Sequence, residues 1–378
     1  LVDSGPIVIG GTEIKSFIEL NLRKVKHLSR EKYEESPEIM LKEKDLLLVT
    51  RGNLGEVGFY HSKYGEGTIN PSVIILNEFV GDAKFLFYYL ISKHGNHQVL
   101  SLTSGSSIPA IYQSEVKTLL YPKPPLPEQK AIAKVLTAFD DKIELLQAQN
   151  KTLETMAQTI FKEWFGKYQI GDELPEGWRV GKVGDLVNLK SGFSFKSKNF
   201  IENGNYKLVT IRNVKNGFFD KSTKDRLNEL PKKLPDHCIL KTGDILISLT
   251  GNVGRTCHVI GDNYLLNQRV CLADPILKEY FGLTYCLFRS KPIFKSMESI
   301  SVGTAQLNLS PVQTQEICLV IPSSLILGQI SKSINPLIKK LIVNNIQIES
   351  LSKTRDTLLP KLMSGQVRVN NIKQTANA

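Results

Sequence analysis

The chain has 378 residues, 41% of them hydrophobic and 22% charged, which is ordinary for a globular protein and enough for two or three domains with proper cores. Its net charge of +11 and pI near 9.2 favour a polyanionic partner such as nucleic acid, although an exposed lysine surface gives the same balance. No apolar run reaches the roughly 18 residues of a membrane span and no signal peptide opens the chain, so no membrane association is expected. The five cysteines (Cys238, Cys257, Cys271, Cys286, Cys318) lie in the second half without CxxC spacing. They read as small buried hydrophobes in a reduced, cytoplasmic compartment, neither a disulfide framework nor a zinc site. Leu1 in place of a starting Met is expected of a fragment or a processed form.

Residues 1–123 alternate short apolar runs with turn residues. LLLVT (46–50) ends in RGNLGEVG, and SVIIL (72–76) follows a second glycine-rich turn, so both read as strands of a mixed domain. KFLFYYLISKHG (84–95) reads as a helix with Gly95 as its C-cap, followed by the polar loop SLTSGSSIPA and a short strand around Thr118–Tyr121. Prolines then lead into PPLPEQKAIAKVLTAFDDKIELLQAQNKTLETMAQTIFKEWF, residues 124–165. Its seam, Ile132, Leu136, Phe139, Ile143, Leu146, Asn150, Leu153, Ala157, Ile160 and Trp164, steps by four and three like the a/d positions of a coiled coil. At 1.5 Å per residue it spans about 50 Å and calls for another long element beside it.

After a linker, 166–177, the chain starts again. GDILISLTGNVGRTCHVI (243–260) repeats KDLLLVTRGNLGEVGFY (44–60), LTYCLFRSKPIF (283–294) repeats FLFYYLISKHG, and SVGTAQLNLS (301–310) repeats TSGSSIPAIY (103–112). A shift of 198 to 200 residues throughout marks a tandem duplication of one module. The second copy also carries a heptad helix: Ile330, Ile334, Leu337, Leu341, Asn344, Ile348, Leu351, Arg355, Leu358 and Leu362. Pro336, which follows Asn335 as a candidate fresh N-cap, and Pro360 are expected to trouble its ends. If the two helices return antiparallel with Ile132 facing Leu362 and Trp164 facing Ile330, each a position meets a d position and Asn150 meets Asn344. Such a polar layer fixes register at some cost in stability. The alternative is that each asparagine points to solvent. The expected fold is therefore α+β, with two tandem pseudo-symmetric mixed α/β domains separated by two long antiparallel coiled-coil helices.

Catalytic constellations are missing from the pattern. There is no GxxxxGK[ST] phosphate loop and no GxGxxG cofactor turn. Asn70-Pro71-Ser72-Val73 is similar to the Asn-Pro-Pro-aromatic motif of amino-methyltransferases but lacks the second proline and the aromatic, and reads as a turn. His94 and His97 have no third ligand nearby, Asp140-Asp141 and Glu144 read as a solvated helix face, and Pro235-Asp236 has no Glu-x-Lys after it. No cofactor, metal or catalytic residue is expected.

A duplicated basic module without chemistry points to binding, and pseudo-two-fold symmetry suits duplex DNA. Base and phosphate contacts need Arg, Lys, Asn, Gln, Ser and Thr on loops and strand edges. The first copy supplies Arg51, Asn53, Lys63, Ser104, Ser106 and Ser107. The second supplies Lys190, Lys196, Lys198, Arg212 and Asn252, then Arg255, Gln268, Arg269, Thr304 and Gln306. Taken singly, each also reads as plain surface, and GNxG is a hairpin turn before it is a DNA-facing loop.

PLPEQKAIAKVLTAFDDKIELL and MAQTIFKEWF in the first helix, LPEGWRVGKVGDLVNLKSGFSF and GDILISLTGNVG in the second module, and the closing LLPKLMSGQVRV together carry a resemblance that covers nearly the whole chain. The chain resembles the specificity (S) subunits of type I restriction–modification systems. The resemblance implies two target recognition domains, 1–123 and 167–322, each reading half of a bipartite double-stranded DNA site. It implies conserved spacer helices, 124–166 and 323–366, that set the spacer and dock the methyltransferase (modification) subunits, two in number, with 367–378 as a tail. It also implies restriction (translocase/nuclease) subunits as further partners. Two departures stand out. Residues 175–203 have no counterpart in the first module, and Gly328 replaces the Glu of the Pro-Glu-Gln helix start in the second helix. The rival from another class is a non-catalytic structural adaptor whose helices scaffold protein partners; an enzyme acting alone is a third reading.

Overall fold

The computed structural model describes residues 2–15, 20–105, 109–303 and 306–369. The chain divides into two compact units, Leu1–Glu144 with Ser350–Ala378, and Leu145–Glu349, so that each contains one module and part of each long helix.

In the first unit, β3 (Leu46–Val49) is central to an antiparallel sheet of order β4-β3-β6, with β4 (Val57–Phe59) and β6 (Val73–Leu76) at its sides. All four residues of β3 are buried, as a continuous apolar run requires when both faces are covered. A second sheet, β2-β1-β5, joins β1 (Val2–Ile9), antiparallel β2 (Lys26–His27) and parallel β5 (Gly67–Ile69). The short α1 (Arg30–Glu34) belongs to this layer. Against β4 packs α2 (Ala83–Ile91), and against α2 packs α3 (Lys93–Ser101), followed by α4 (Gln113–Val116) and the start of α5 (Leu126–Phe165).

Two expectations for this unit fail for identifiable reasons. Residues 84–95 are not one helix capped by Gly95. Ser92 breaks the run and caps α3, its Oγ accepting from Gly95 N at 3.1 Å. Gly95 is instead a close-approach position, where an added Cβ would stand 2.0 Å from Tyr89 O. Thr118–Tyr121 is not a strand either. Its repeat, β16 (Cys318–Ile321), pairs with β7 (Arg179–Lys182), and among the described residues the first unit offers no such partner.

The second unit repeats the plan with additions. Strands β12 (Ile245–Ser248), β13 (Thr256–His258) and β15 (Val270–Pro275) reproduce β3, β4 and β6, and β8 (Val187–Ser191) extends the sheet to β13-β12-β15-β8. The other sheet runs β10-β9-β14-β11, from β10 (Arg226–Leu227), β9 (Tyr206–Val209), β14 (Tyr264–Leu266) and β11 (Ile239–Leu240); β9 and β14 are parallel, as β1 and β5 are. Helices α6 (Phe281–Arg289), α7 (Lys291–Ser299) and α8 (Pro311–Gln315) lead to α9 (Ser324–Met363).

The long helices α5 and α9 pack together with opposite direction. In the first unit Ile132 and Leu136 share a core with Leu359 and Leu362; in the second Ala157, Phe161 and Trp164 share one with Ile330, Ile334 and Ile338. Every seam position of both helices is buried or half-buried. The expected disturbance at Pro336 and Pro360 is absent, and α9 runs unbroken through both. Both prolines are exposed, so the lost hydrogen bond frees a carbonyl toward water and seam burial outweighs the cost of about 3 kcal/mol per proline. Asn335 does not cap a new helix. Its Oδ1 accepts from Gly282 N and its Nδ2 donates to Glu279 O, both at 2.8 Å, which fastens α9 to the start of α6. Four cysteines are buried as expected, whereas Cys318 is exposed at the start of β16. Among the described residues, no helix is long and apolar enough to cross a membrane.

Candidate nucleic-acid interface

In both units the turn after the central strand is joined to the polar loop by the same ladder. Arg51 and Ser104 both bridge Ala110, and Ile111 N donates to Thr50 O at 3.1 Å. In the second unit Thr250 and Val302 both bridge Asn308, and Leu309 N donates to Leu249 O at 2.7 Å. The turns need positive φ at Gly52 and Gly55 (81° and 78°) and at Gly251 and Gly254 (71° and 73°), which explains the Gly-Asn-x-Gly spacing.

This edge collects much of the polar set. Arg51 and Asn53 are exposed beside half-buried Ser104 in the first unit. In the second, Asn252, Arg212, Gln268, Arg269 and Gln306 are exposed around the Gly251 turn, and Arg255 is half-buried. Asn267 N donates to Val209 O and Gln268 N to Phe193 O, at 3.2 and 3.0 Å, which draws the 267–269 turn against the end of β9. Buried Asn213 shapes that end: its Oδ1 accepts from Thr210 N, and its Nδ2 donates to Asp220 O and Ser222 O, all at 2.8 Å. Ser106, Ser107 and Thr304 lie outside the described residues.

Other candidates are elsewhere. Lys63 sits in the Ser62–Tyr64 turn at the opposite end of β4, its Nζ 5.4 Å from the Tyr64 ring. Lys190 is held by Asp274 at 2.6 Å, which cancels its charge locally. Lys196 lines a side cleft of about 610 Å³ with Phe193, Phe195 and Lys232, and Lys198 is exposed next to it. The two edges differ in charge. The position matching Arg212 is Glu13, whose carboxylate accepts from Gly10 N at 2.9 Å and from Thr12 Oγ1 at 2.7 Å.

The helices hold polar groups as well. In the second unit Asn344 Nδ2 donates to Asn150 Oδ1 at 2.9 Å, and Asn150 Nδ2 to Asn345 Oδ1 at 2.8 Å. In the first, Asp140 is no solvated carboxylate. It accepts from Arg355 Nη1 and from the Tyr88 hydroxyl, each at 2.5 Å, and burial foremost pushes the Tyr88 phenol well above its ordinary value. The second unit has its own network, Glu154 with Arg289 and Tyr285. Sequence reading missed these groups; the one signal was Arg355 standing in an apolar seam. Lys134, Asp141, Lys142 and Glu144 are exposed on α5.

Two copies of one β-rich module, each carrying a polar loop edge and packed on a shared pair of long helices, define a duplicated recognition protein. Residues 12–155 and 175–352 match the family model of the type I restriction modification DNA specificity domain. The chain belongs to that family: it is the DNA-specificity subunit, the non-catalytic part, of a type I restriction–modification complex. It is 27% identical over 325 residues to the type I restriction enzyme MjaIX specificity subunit of Methanocaldococcus jannaschii, covering 80% of this chain and 73% of that one. It is 31% identical over 297 residues to the MjaVIII specificity subunit of the same organism, covering 71% and 66%. The fold is similar to the crystal structure of a type I restriction–modification S subunit from M. genitalium, with a TM-score of 0.55, 20% identity and coverage of 95% and 92%.

Proposed function

We propose that each module reads one half of a bipartite double-stranded DNA site, through the loop edge formed by residues 51–55, Ser104 and Ala110 in the first and by residues 250–254, 267–269, Val302 and Asn308 in the second. The single observation that carries this reading is the loop ladder shared by two modules whose exposed side chains differ. A common scaffold then presents two different surfaces, with phosphate contacts positioning each module and base contacts specifying it. The domains follow as recognition modules 1–123 and 167–322, spacer helices 124–166 and 323–366, and a tail 367–378. The helices set the length of the unread spacer. Their outward charges at Lys134, Asp141 and Lys142 dock two methyltransferase subunits, and restriction subunits complete the cytoplasmic assembly.

Methylome sequencing of a host carrying this chain and its methyltransferase partner tests the reading, followed by exchange of residues 167–322 for the same module of a relative. A bipartite motif is expected, and the exchange should alter one half of it. A motif with both halves altered, or neither, would refute the division of labour.

A further inference from the structure

A largely buried polar network of the second unit lies behind its loop edge and runs to α5. Arg289, the last residue of α6, has a side chain only 15% exposed. Its Nε donates to Glu154 Oε1 at 2.6 Å, and its Nη2 stands 2.6 Å from the same oxygen. Its Nη1 donates to Asn216 Oδ1. The Tyr285 hydroxyl, one turn earlier on α6, donates to Glu154 Oε1 at 3.3 Å.

Asn216 belongs to a turn closed by Lys215 N donating to Phe218 O at 3.0 Å and seated on β13 by Gly217 N donating to Thr256 O at 2.8 Å. The base of that turn is Asn213, which shapes the stretch bearing Arg212. Ile211 in turn packs beside the Gly251 turn, its Cδ1 3.5 Å from where a Cβ on Gly251 would stand. The loop edge is thus joined, through Asn213, the 214–219 hairpin that carries Asn216, and Arg289, to Glu154 on the spacer helix.

The first unit is built differently. Ile91 ends α2 where Arg289 ends α6, and it has no group with which to reach a turn. There the spacer carboxylate Asp140 is gripped by Arg355 from α9 and by Tyr88 from α2. Among the described residues, the second module alone has its loop edge tied to α5 by a guanidinium.

We propose that Arg289 is a positioning residue for DNA readout by the second module: its guanidinium fixes the angle at which that loop edge is held on α5, and with it the spacer length the chain accepts. This rests on the loop-edge reading above. A planar guanidinium can hold Glu154 and Asn216 at once in fixed directions, whereas an ammonium can hold them only loosely. Without it, Glu154 loses its cation and the 215–218 turn keeps its backbone seat on β13 but loses its tie to α5, so duplexes of wrong spacer length fit nearly as well as the right one.

The test measures binding of the full chain, wild type and Arg289→Met, to duplexes carrying the methylome-defined site with its native spacer and with the spacer lengthened or shortened by one base pair. Single-base changes in each half complete the set. Arg289→Met is expected to lower discrimination against wrong spacers by about fivefold or more, on the scale of one mismatched base pair, while discrimination within the first half stays at the wild-type level. Arg289→Lys, which keeps the charge without the fork, should fall between the two. A merely structural role would weaken binding to all duplexes alike. Should Arg289→Met fail to fold, Asn216→Ala removes only the link to the turn and should show the same loss in smaller degree. Wild-type spacer discrimination in a folded Arg289→Met, or in both Arg289→Lys and Asn216→Ala, would overturn the proposal. If the wild type itself prefers no bipartite duplex, the loop-edge reading is what fails.

Discussion

Asn344 Nδ2 donates to Asn150 Oδ1 at 2.9 Å, joining the one asparagine of each largely apolar helix seam. Asn344 is fully buried, and Asn150 is tied further to Asn345. A polar layer of this kind disfavours any slipped packing, because a slip would bury each amide against leucine and isoleucine. Replacing one member, as in Asn150→Leu, should cost about 1–3 kcal/mol, because the buried Asn344 amide keeps only its 3.4 Å hydrogen bond to Gln149 Oε1 and Asn345 loses its partner. The double replacement by leucine should recover most or all of that loss. Chemical denaturation of both singles and the double, treated as a cycle, measures the coupling; additive losses would remove it.

Asp140 presents a harsher case. Its carboxylate and the Arg355 side chain are each 17% exposed, and Tyr88 leans on the same group. Asp140→Ala should destabilise the first unit by about 2–4 kcal/mol, since Arg355 is left largely desolvated with only the exposed Asp356 for company. Asp140→Asn keeps an acceptor and should cost less. Thermal unfolding distinguishes them.

His258 is 4% exposed, stacked 4.1 Å from the Tyr285 ring, and burial foremost, with Arg289 adding to it, lowers its pKa to about 3. Below the ordinary value of 6.5 the unfolded chain takes up a proton that the folded chain refuses until about pH 3. Stability from this group is therefore complete above pH 6.5 and is lost as the pH falls, approaching roughly 1.4 kcal/mol per pH unit in that window. The matching residue of the first module is Phe59, buried at the end of β4 and opposite Leu46 as His258 is opposite Ile245. His258→Phe should flatten the stability of the second unit between pH 7 and about pH 4, followed by denaturant titration at each pH.

Salt dependence should sort the basic candidates. Arg212→Ala and Arg269→Ala, both exposed at the second loop edge, should each weaken DNA binding and lower the slope of log affinity against log salt by about one. Lys190→Ala should change the slope far less, because Asp274 already neutralises that ammonium at 2.6 Å. Equal effects at Lys190 and Arg269 would argue against the edge as the contact surface.

Much of the architecture was legible in the sequence. The duplication and the paired helices follow from features written along one stretch of chain: a shift near 198 residues, and a four-three apolar rhythm that commits one stripe of each helix to burial. Register followed too, because the seams are long and each holds one asparagine. The roles of single polar residues were not legible in the same way. Gln129 looks like part of a helix-start motif; in the fold it is buried, its Oε1 accepting from Asp82 N at 2.9 Å and its Nε2 donating to Pro124 O at 2.8 Å, while Gln329 in the other copy is exposed.

By itself, then, the sequence determined the α+β class, the repeated module and the two helices, since hydrophobic periodicity acts over neighbouring residues and needs no knowledge of what lies across the core. Only the tertiary structure decided which charges are engaged. Asp140 meets Arg355 across 215 residues, Glu154 meets Arg289 across 135, and Lys190 meets Asp274 across 84. An exposed carboxylate and a buried, paired one are spelled alike, and what separates them is the desolvation and the counter-charge supplied by a distant element.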